Sequence, residues 1–396
     1  MQYDALIIGG GACGLMCAVQ AGLLGKKTLL IERNAQVGAK ILISGGGRCN
    51  YTNLGTTSAN FISDDLSLLD TVFEQWTVAD TLNFFESNGI FGEEKTLGQL
   101  FPKTNKAKDI VAVFTKLLYQ SKQDIWLNSL VKSIVKENDF FNVEVETAKG
   151  IQTLQAKKVV LASGGLPIQK LGASDFALRV AKQFGHSIVQ TAPALVPLTI
   201  TGKHADWYAS LSGNSVFAQV YNKQISFEEN ILFTHWGLSG PSILQISSYW
   251  RAGEEITIDL LPKFKLEDII KQERNQGGKR MISQILNDYF TKKMVDALGQ
   301  FLPISVKVAS LSKADAKLIV ETIHAFKVKP AGDKGYEKAE VMRGGVSTRE
   351  LNATSLESLK MPGLYFGGEA VDVTGWLGGY NFQWAWASAT AIARDI

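Results

Sequence analysis

Three glycines spaced Gly9-x-Gly11-x-x-Gly14 and an acid, Glu32, are the first residues whose types and spacing suit a ligand. In such a pattern the first glycine permits a tight turn and the second lets backbone approach a pyrophosphate. The third lets helix and strand pack closely. Ala12 and Cys13 complete the turn into the helix, whose free N–H groups and dipole favour negative charge. Glu32, eighteen positions after Gly14 and followed by Arg33, stands where a carboxylate accepts ribose hydroxyls and disfavours a 2′-phosphate. The pattern therefore suits FAD or NAD rather than NADP.

A second group follows in Val37–Asn53, VGAKILISGGGRCNYTN. Neither helix nor strand propensity explains Gly45, Gly46 and Gly47 in succession, so they read as backbone pressed against a flat or anionic ligand. Lys40, Ser44, Arg48 and Asn50 add cations, a hydroxyl and an amide. Cys49 reads as a residue buried against the cofactor, with redox or nucleophilic chemistry as its alternative. Further along, Ala162, Ser163 and Gly164 end a buried strand at the edge where open α/β sheets collect ligands. Val131 lies where returning chain can offer edge N–H and C=O groups to an adenine.

The last sixty residues return to ligand-type sequence. Gly368 and Glu369 close a strand, and Gly379, Tyr380, Asn381 and Phe382 open an apolar helix. A buried helix starting there aims N–H groups at the charge that a reduced flavin develops at N1 and C2=O. His235, just before Ser239-Gly240-Pro241, is a lone histidine that reads first as structural. Serine there suits a helix cap and proline the first helical position. Candidate catalytic groups are Arg48, Asn50, Tyr51, His235 and Tyr380, with no base assigned.

The elements that must position these groups alternate as strand and helix. Ala5–Ile8 and Thr28–Glu32 read as strands flanking the first helix, 64–119 as mainly helices over one face of the sheet, and 126–165 as strands. The expected fold class is α/β: a Rossmann-like FAD-binding domain split in sequence, with a β-rich and a small helical insertion. The boundaries are 1–191 and 338–396 for the split domain, 192–261 and 325–337 for the β-rich insertion and 262–324 for the helical one. A membrane span over Ala5–Gly25, which holds no charged residue, is the rival reading, and the glycine spacing argues against it.

Composition sets the outer bounds. In 396 residues, 41 basic and 38 acidic side chains leave a net charge of +3 without a basic tract, so no nucleic acid and no membrane partner is expected. Three cysteines without a CxxC pair fit a reducing cytoplasm and offer no metal site. The first strand begins within a few residues of Met1, leaving no room for a signal peptide.

GGGACGL, GAKILISGGGRCNYTN, LASGG, ILFTHWGLSGPSILQIS, AEVMRGGVS and GLYFGGEAVDVTGWLGGYNFQWAWAS together resemble the BaiN/YhiN-type flavoproteins. These are also called the aminoacetone-oxidase family of NAD(P)/FAD-dependent oxidoreductases. The resemblance implies non-covalent FAD, with Glu32 on the adenosine ribose and Ser44–Asn50 along the flavin and pyrophosphate. It also implies Val131 at the adenine, Glu369 near the ribityl–pyrophosphate region and Gly379–Gln383 at the pyrimidine edge. Trp376-Leu377-Gly378-Gly379 lacks the arginine that related dicarboxylate enzymes use, and a single GxGxxG leaves no dedicated nicotinamide domain. The expected activity is hydride exchange between flavin N5 and a small organic substrate, amine oxidase-like or enone reductase-like. Oxygen or transient NAD(P)H is the electron partner. The alternative is a flavin-dependent RNA-modifying or non-catalytic FAD-binding protein.

Overall fold

The computed structural model describes residues 3–396, and the chain divides into two compact units. One holds the chain up to Ala192 together with Val341–Ile396, and the other holds Pro193–Glu340.

The first unit is built on a five-stranded parallel sheet. Its strands are β1 (Ala5–Ile8), β2 (Thr28–Ile31), β3 (Asp124–Trp126), β4 (Lys158–Leu161) and β5 (Leu364–Phe366), in the order β5-β4-β1-β2-β3. The apolar runs of β1, β2 and β4 are buried nearly throughout, as expected of parallel strands covered on both faces. A strand supplied by the chain's last forty residues thus completes a sheet begun by its first ten. The proposed span over Ala5–Gly25 is instead β1, a glycine turn and helix α1 (Ala12–Leu23). No helix among the described residues is long and apolar enough to cross a membrane.

Three further helices belong to this unit: α2 (Ala39–Gly47), α3 (Ala107–Gln120) and α4 (Tyr380–Asp395). Helix α3 packs on α1 and α2, whereas helices Leu66–Gln75 and Val78–Ser87 pack on α4 rather than over the sheet. Their ends are fixed by Asp65, which accepts from Ser67 N–H at 3.0 Å, and by Thr77, which accepts from Asp80 N–H at 3.2 Å. Helix α4 is buried along nearly its whole length because its tryptophans have partners: Trp384 Nε1 donates to Gly368 O (2.9 Å) and Trp386 Nε1 to Tyr51 O (2.8 Å). Losing either ring would cost about 3–5 kcal/mol. A three-stranded antiparallel sheet (Leu130–Glu137, Phe140–Thr147, Gly150–Ala156) lies beside this body.

The second unit has an antiparallel seven-stranded sheet ordered 326–328, 256–259, 215–221, 226–234, 237–239, 198–199, 332–333. Helices within 266–324 belong to the same unit, with Ser312 capping the last one by accepting from Asp315 N–H at 3.0 Å. Helix Pro241–Ser247 is not capped by Ser239. Its N-cap is Gly240 at φ 90°, where a side chain would strike Asn230 O and Leu232 N at 2.8 Å.

Candidate dinucleotide site

The glycine turn after β1 is shaped by contact. Gly9 has φ 108°, and a methyl there would meet Ala162 O at 2.5 Å and Ser163 Cα at 2.7 Å. The ends of β1 and β4 therefore touch through bare backbone. A methyl on Gly14 would fall 1.9 Å from Gly9 O, so that glycine is required for α1 to dock. Gly11 differs: nothing lies within 4 Å of a methyl there, and no side chain caps α1. The open helix N-terminus is a place for an anion.

Glu32 is buried and turned toward that N-terminus. Its carboxylate accepts Gly10 N–H (2.6 Å) and Asn34 N–H (2.8 Å), which leaves acceptor positions for two hydroxyls. Arg33 is exposed and donates to Gly172 O at 3.1 Å. Ser129 N–H bonds Glu32 O just past β2, and buried Val131 follows Ser129 by two residues, where its strand shifts register before Ser133.

The glycine triplet is not a plain loop. Residues from Ala39 are helical up to Ser44, which is extended, and Gly45, Gly46 and Gly47 are then left-handed (φ 55°, 69° and 81°). Three such residues in succession are open only to glycine. Ser44 Oγ donates to Ile41 O, and Arg48 Nε donates to Gly45 O over the Phe101 ring, both closing the turn on itself. Cys49 is fully buried at φ 61°, and burial pushes its thiol up to about 12. Tyr51 is a core residue: its ring meets Phe85 edge-on, it has no exposure, and burial pushes its phenol up to about 12.

The end of the chain closes the other side. Gly368 (φ 61°) lies against Cys13, and Cys13 Sγ is 3.9 Å from Ser388 Oγ on α4. Lys40 pairs with Glu369 at 2.7 Å, and Glu369 also accepts Met342 N–H at 2.9 Å. Gly164 and Gly165 run beside that carboxylate. Gly379 (φ 99°) caps α4 against Thr52 O, and Tyr380 is buried between Phe61 and Trp376. Asn381 is spent on the turn, bonding both N–H and C=O of Gly375, and Phe382 stacks on Trp386.

Ala12, Cys13, Lys40, Ser44–Asn50, Ala162–Gly164, Gly368, Glu369 and Gly379–Phe382 thus all belong to the first unit, whereas His235 belongs to the second. There it is exposed on a strand turn, its ring 4.0 Å from that of Trp236. Two residues carry no local signal in sequence. Gln99 bonds Asn50 and abuts Gly378, and Asp372 is buried beside Asp64, its carboxyl pushed up to about 6 by burial and then by the Asp64 charge. No cluster of metal-ligating side chains occurs among the described residues.

This parallel sheet with its glycine turn, terminal acid and returning C-terminal strand is a Rossmann-type domain split by an inserted unit. The chain belongs to the HI0933-like family, whose Rossmann-domain model matches residues 3–395. It is 40% identical over 397 residues to the ribosomal RNA dihydrouridine synthase of Escherichia coli K12, covering 100% of this chain and 98% of that one. It is 27% identical to the 3-dehydro-bile acid Δ(4,6)-reductase of Clostridium scindens, covering 98% and 97%. Among solved structures, the 3-ketosteroid-Δ4-(5α)-dehydrogenase of Rhodococcus jostii RHA1 superposes with TM-score 0.53 at 11% identity, covering 99% of this chain and 97% of that one. That likeness concerns the fold.

Proposed function

We infer that the chain is an FAD-dependent reductase that saturates the C5=C6 bond of a uracil base in ribosomal RNA, yielding dihydrouridine. The observation that carries this reading is the end-to-end 40% identity with a ribosomal RNA dihydrouridine synthase. It takes up the RNA-modifying alternative in preference to a small amine or enone, and it makes nucleic acid the partner despite the near-neutral net charge of +3.

The residues present fit FAD. The uncapped, sterically open turn at Gly11 suits a diphosphate, and the spare acceptor positions of Glu32 suit a ribose. Ser163 Oγ and Asn50 Oδ1 are buried without partners, and a bound ligand that reached them would supply one. Lys40 places a cation beside Glu369 where the phosphates would pass. Bound and reduced, FAD would supply the hydride that saturating the C5=C6 bond requires, with the second hydrogen arriving as a proton. The α4 N-terminus stabilises negative charge near its first turn. Of the candidate catalytic groups, Arg48, Asn50, Tyr51 and Tyr380 lie in the unit that holds the glycine turn, with Tyr51 and Tyr380 buried, and His235 lies in the other.

The relative at 27% identity is named for reducing a dienone, a C=C bond conjugated to a carbonyl as in uracil. A small enone is therefore the second reading, with NAD(P)H as transient donor in either case. The test supplies the protein with FAD, NAD(P)H and either unmodified rRNA transcript or a steroid dienone. Two hydrogens gained on one uridine support the first reading. Reduction of the dienone alone supports the second, and reduction of neither removes both.

A further inference from the structure

Leu97 stands in the tip of the hairpin formed by Gly92–Glu94 and Gln99–Pro102, 64% exposed and with left-handed backbone (φ 52°). A leucine there is doubly unfavourable. Its Cβ opposes a conformation that suits glycine or asparagine, and its side chain stays in water. Leu195 and Leu356 are left-handed as well (φ 49° and 58°), but both are buried, where packing offsets the strain. Leu97, mostly in water, has no such compensation.

The tip is fastened to the candidate site. Buried Asn53 donates from Nδ2 to Leu97 O (3.0 Å) and to Gly378 O (2.9 Å), the latter in the turn that opens α4. Gly98 is held so close that a methyl on it would fall 2.6 Å from Asn53 Oδ1. Leu54 N–H bonds Gly98 O at 2.9 Å, which sets a second leucine, 46% exposed, alongside.

Cations stand around this apolar tip. Arg48, at the end of the glycine triplet, and Lys95 both lie over the Phe101 ring, at 5.1 and 5.0 Å. Lys95 Nζ also donates to Asn105 Oδ1 (2.6 Å), and Lys103 is exposed two residues beyond Phe101. Among the described residues none of the three forms an ion pair, and Glu93 and Glu94 of the same hairpin pair with none of them. Unpaired cations beside exposed apolar side chains complement a polyanion with flat faces, which is the chemistry of RNA.

A uridine inside a folded RNA must leave its stack before an enzyme reaches its C5=C6 bond, and an apolar side chain entering the vacated step holds such a base out. We propose that Leu97, backed by Leu54, is that wedge for the rRNA substrate, with Arg48, Lys95 and Lys103 on the flanking phosphates. The inference rests on the RNA reading of the proposed function and names the surface by which that site takes its partner. The strain at Leu97 is a cost in the free protein that the RNA contact offsets.

Full-length, FAD-loaded wild type, Leu97→Asn and the double variant Lys95→Gln/Lys103→Gln are mixed with unmodified rRNA transcript. Filter retention across a salt series measures binding. Dimethyl sulfate and carbodiimide, which modify unpaired base edges, map the positions that open on binding. RNA mass after reduction of the flavin counts dihydrouridine. Asparagine accepts the left-handed backbone, so Leu97→Asn should melt at or above wild type, which a structural role for Leu97 would reverse. It should retain the transcript within about threefold of wild type and lose the base reactivities that wild type opens. The double variant should bind about tenfold more weakly, with a salt slope lower by about two.

A Leu97→Asn protein that melts lower or opens the same bases as wild type overturns the proposal. So does a wild type that binds and opens none, or a double variant with an unchanged salt slope. Dihydrouridine formed in those samples leaves the proposed function standing. Base opening that depends on Leu97, without dihydrouridine, removes the proposed function and keeps the wedge. No retention of the transcript at low salt removes both.

Discussion

Lys40 Nζ lies 2.7 Å from Glu369 Oε2, an ion pair between residues 329 positions apart. It ties the helix after β2 to the strand end that the C-terminal segment returns to the sheet. Glu369 is the better buried partner and is held a second time by Met342 N–H. Lys40→Met leaves that carboxylate unpaired beside the proposed diphosphate path. FAD affinity is expected to fall at least tenfold, or about 1.5–3 kcal/mol, in a calorimetric titration. Glu369→Gln retains an acceptor for Met342 and should cost less. Equal affinity in wild type and Lys40→Met would place the phosphates elsewhere.

The glycines of the first turn should separate by role. Gly14→Ala puts a methyl 1.9 Å from Gly9 O and is expected to yield no soluble folded protein. Gly11→Ala meets open space at an ordinary φ of −81°. It should fold with a melting temperature near wild type and lose FAD affinity, because no protein atom comes close there and the proposed diphosphate would. Thermal melts with and without FAD check both, and a Gly11→Ala protein with full affinity would contradict the turn's assigned role.

Asp372 gives a pH dependence with a defined sign. Its carboxyl is raised to about 6 by burial, with the Asp64 charge adding to the effect. A raised folded-state value means that the protonated form is favoured by folding. The associated stability is present below about pH 4 and lost as pH rises through about 6, amounting to at most about 3 kcal/mol. Asp372→Asn cannot ionise, so the difference in urea-unfolding free energy between variant and wild type should shift in the variant's favour between about pH 4 and about pH 7.5. A difference independent of pH would show that Asp372 ionises normally.

The cysteines should be inert in the folded protein. Cys13, Cys17 and Cys49 are buried and free, and burial drives every thiol up: Cys13 and Cys49 to about 12, and Cys17 well above its ordinary value. A colorimetric thiol reagent is expected to label none of them at neutral pH and all three after unfolding. Rapid native labelling of Cys49 would restore the chemical role its loop position suggests.

What the sequence revealed depended on how local the cause was. Gly9, Gly11, Gly14 and Glu32 are readable because one strand–turn–helix–strand unit sets their spacing. The buried start of α4 is readable from Phe382, Trp384, Ala385 and Trp386, which leave it apolar nearly all round. The triplet Gly45–Gly47 signals an unusual backbone but not the helix that precedes it, because consecutive left-handed residues leave the same composition as a flexible loop. Gly240 rather than Ser239 caps its helix, at a position where a methyl would meet Asn230 O and Leu232 N at 2.8 Å, a crowding no local pattern encodes. Gln99 beside Asn50, and Asp372 beside Asp64, are joined only by tertiary folding. Tyr51 reads as a reactive group in a polar loop, yet its ring enters the core against Phe85.

The most direct measurement is a single turnover. The FAD-loaded protein is reduced without oxygen and mixed with unmodified rRNA transcript, and the flavin absorbance and the RNA mass are followed together. The expected result is return of the yellow absorbance with one dihydrouridine formed per flavin reoxidised. A flavin that stays bleached in the presence of rRNA, with no uridine gaining two hydrogens, would contradict the account.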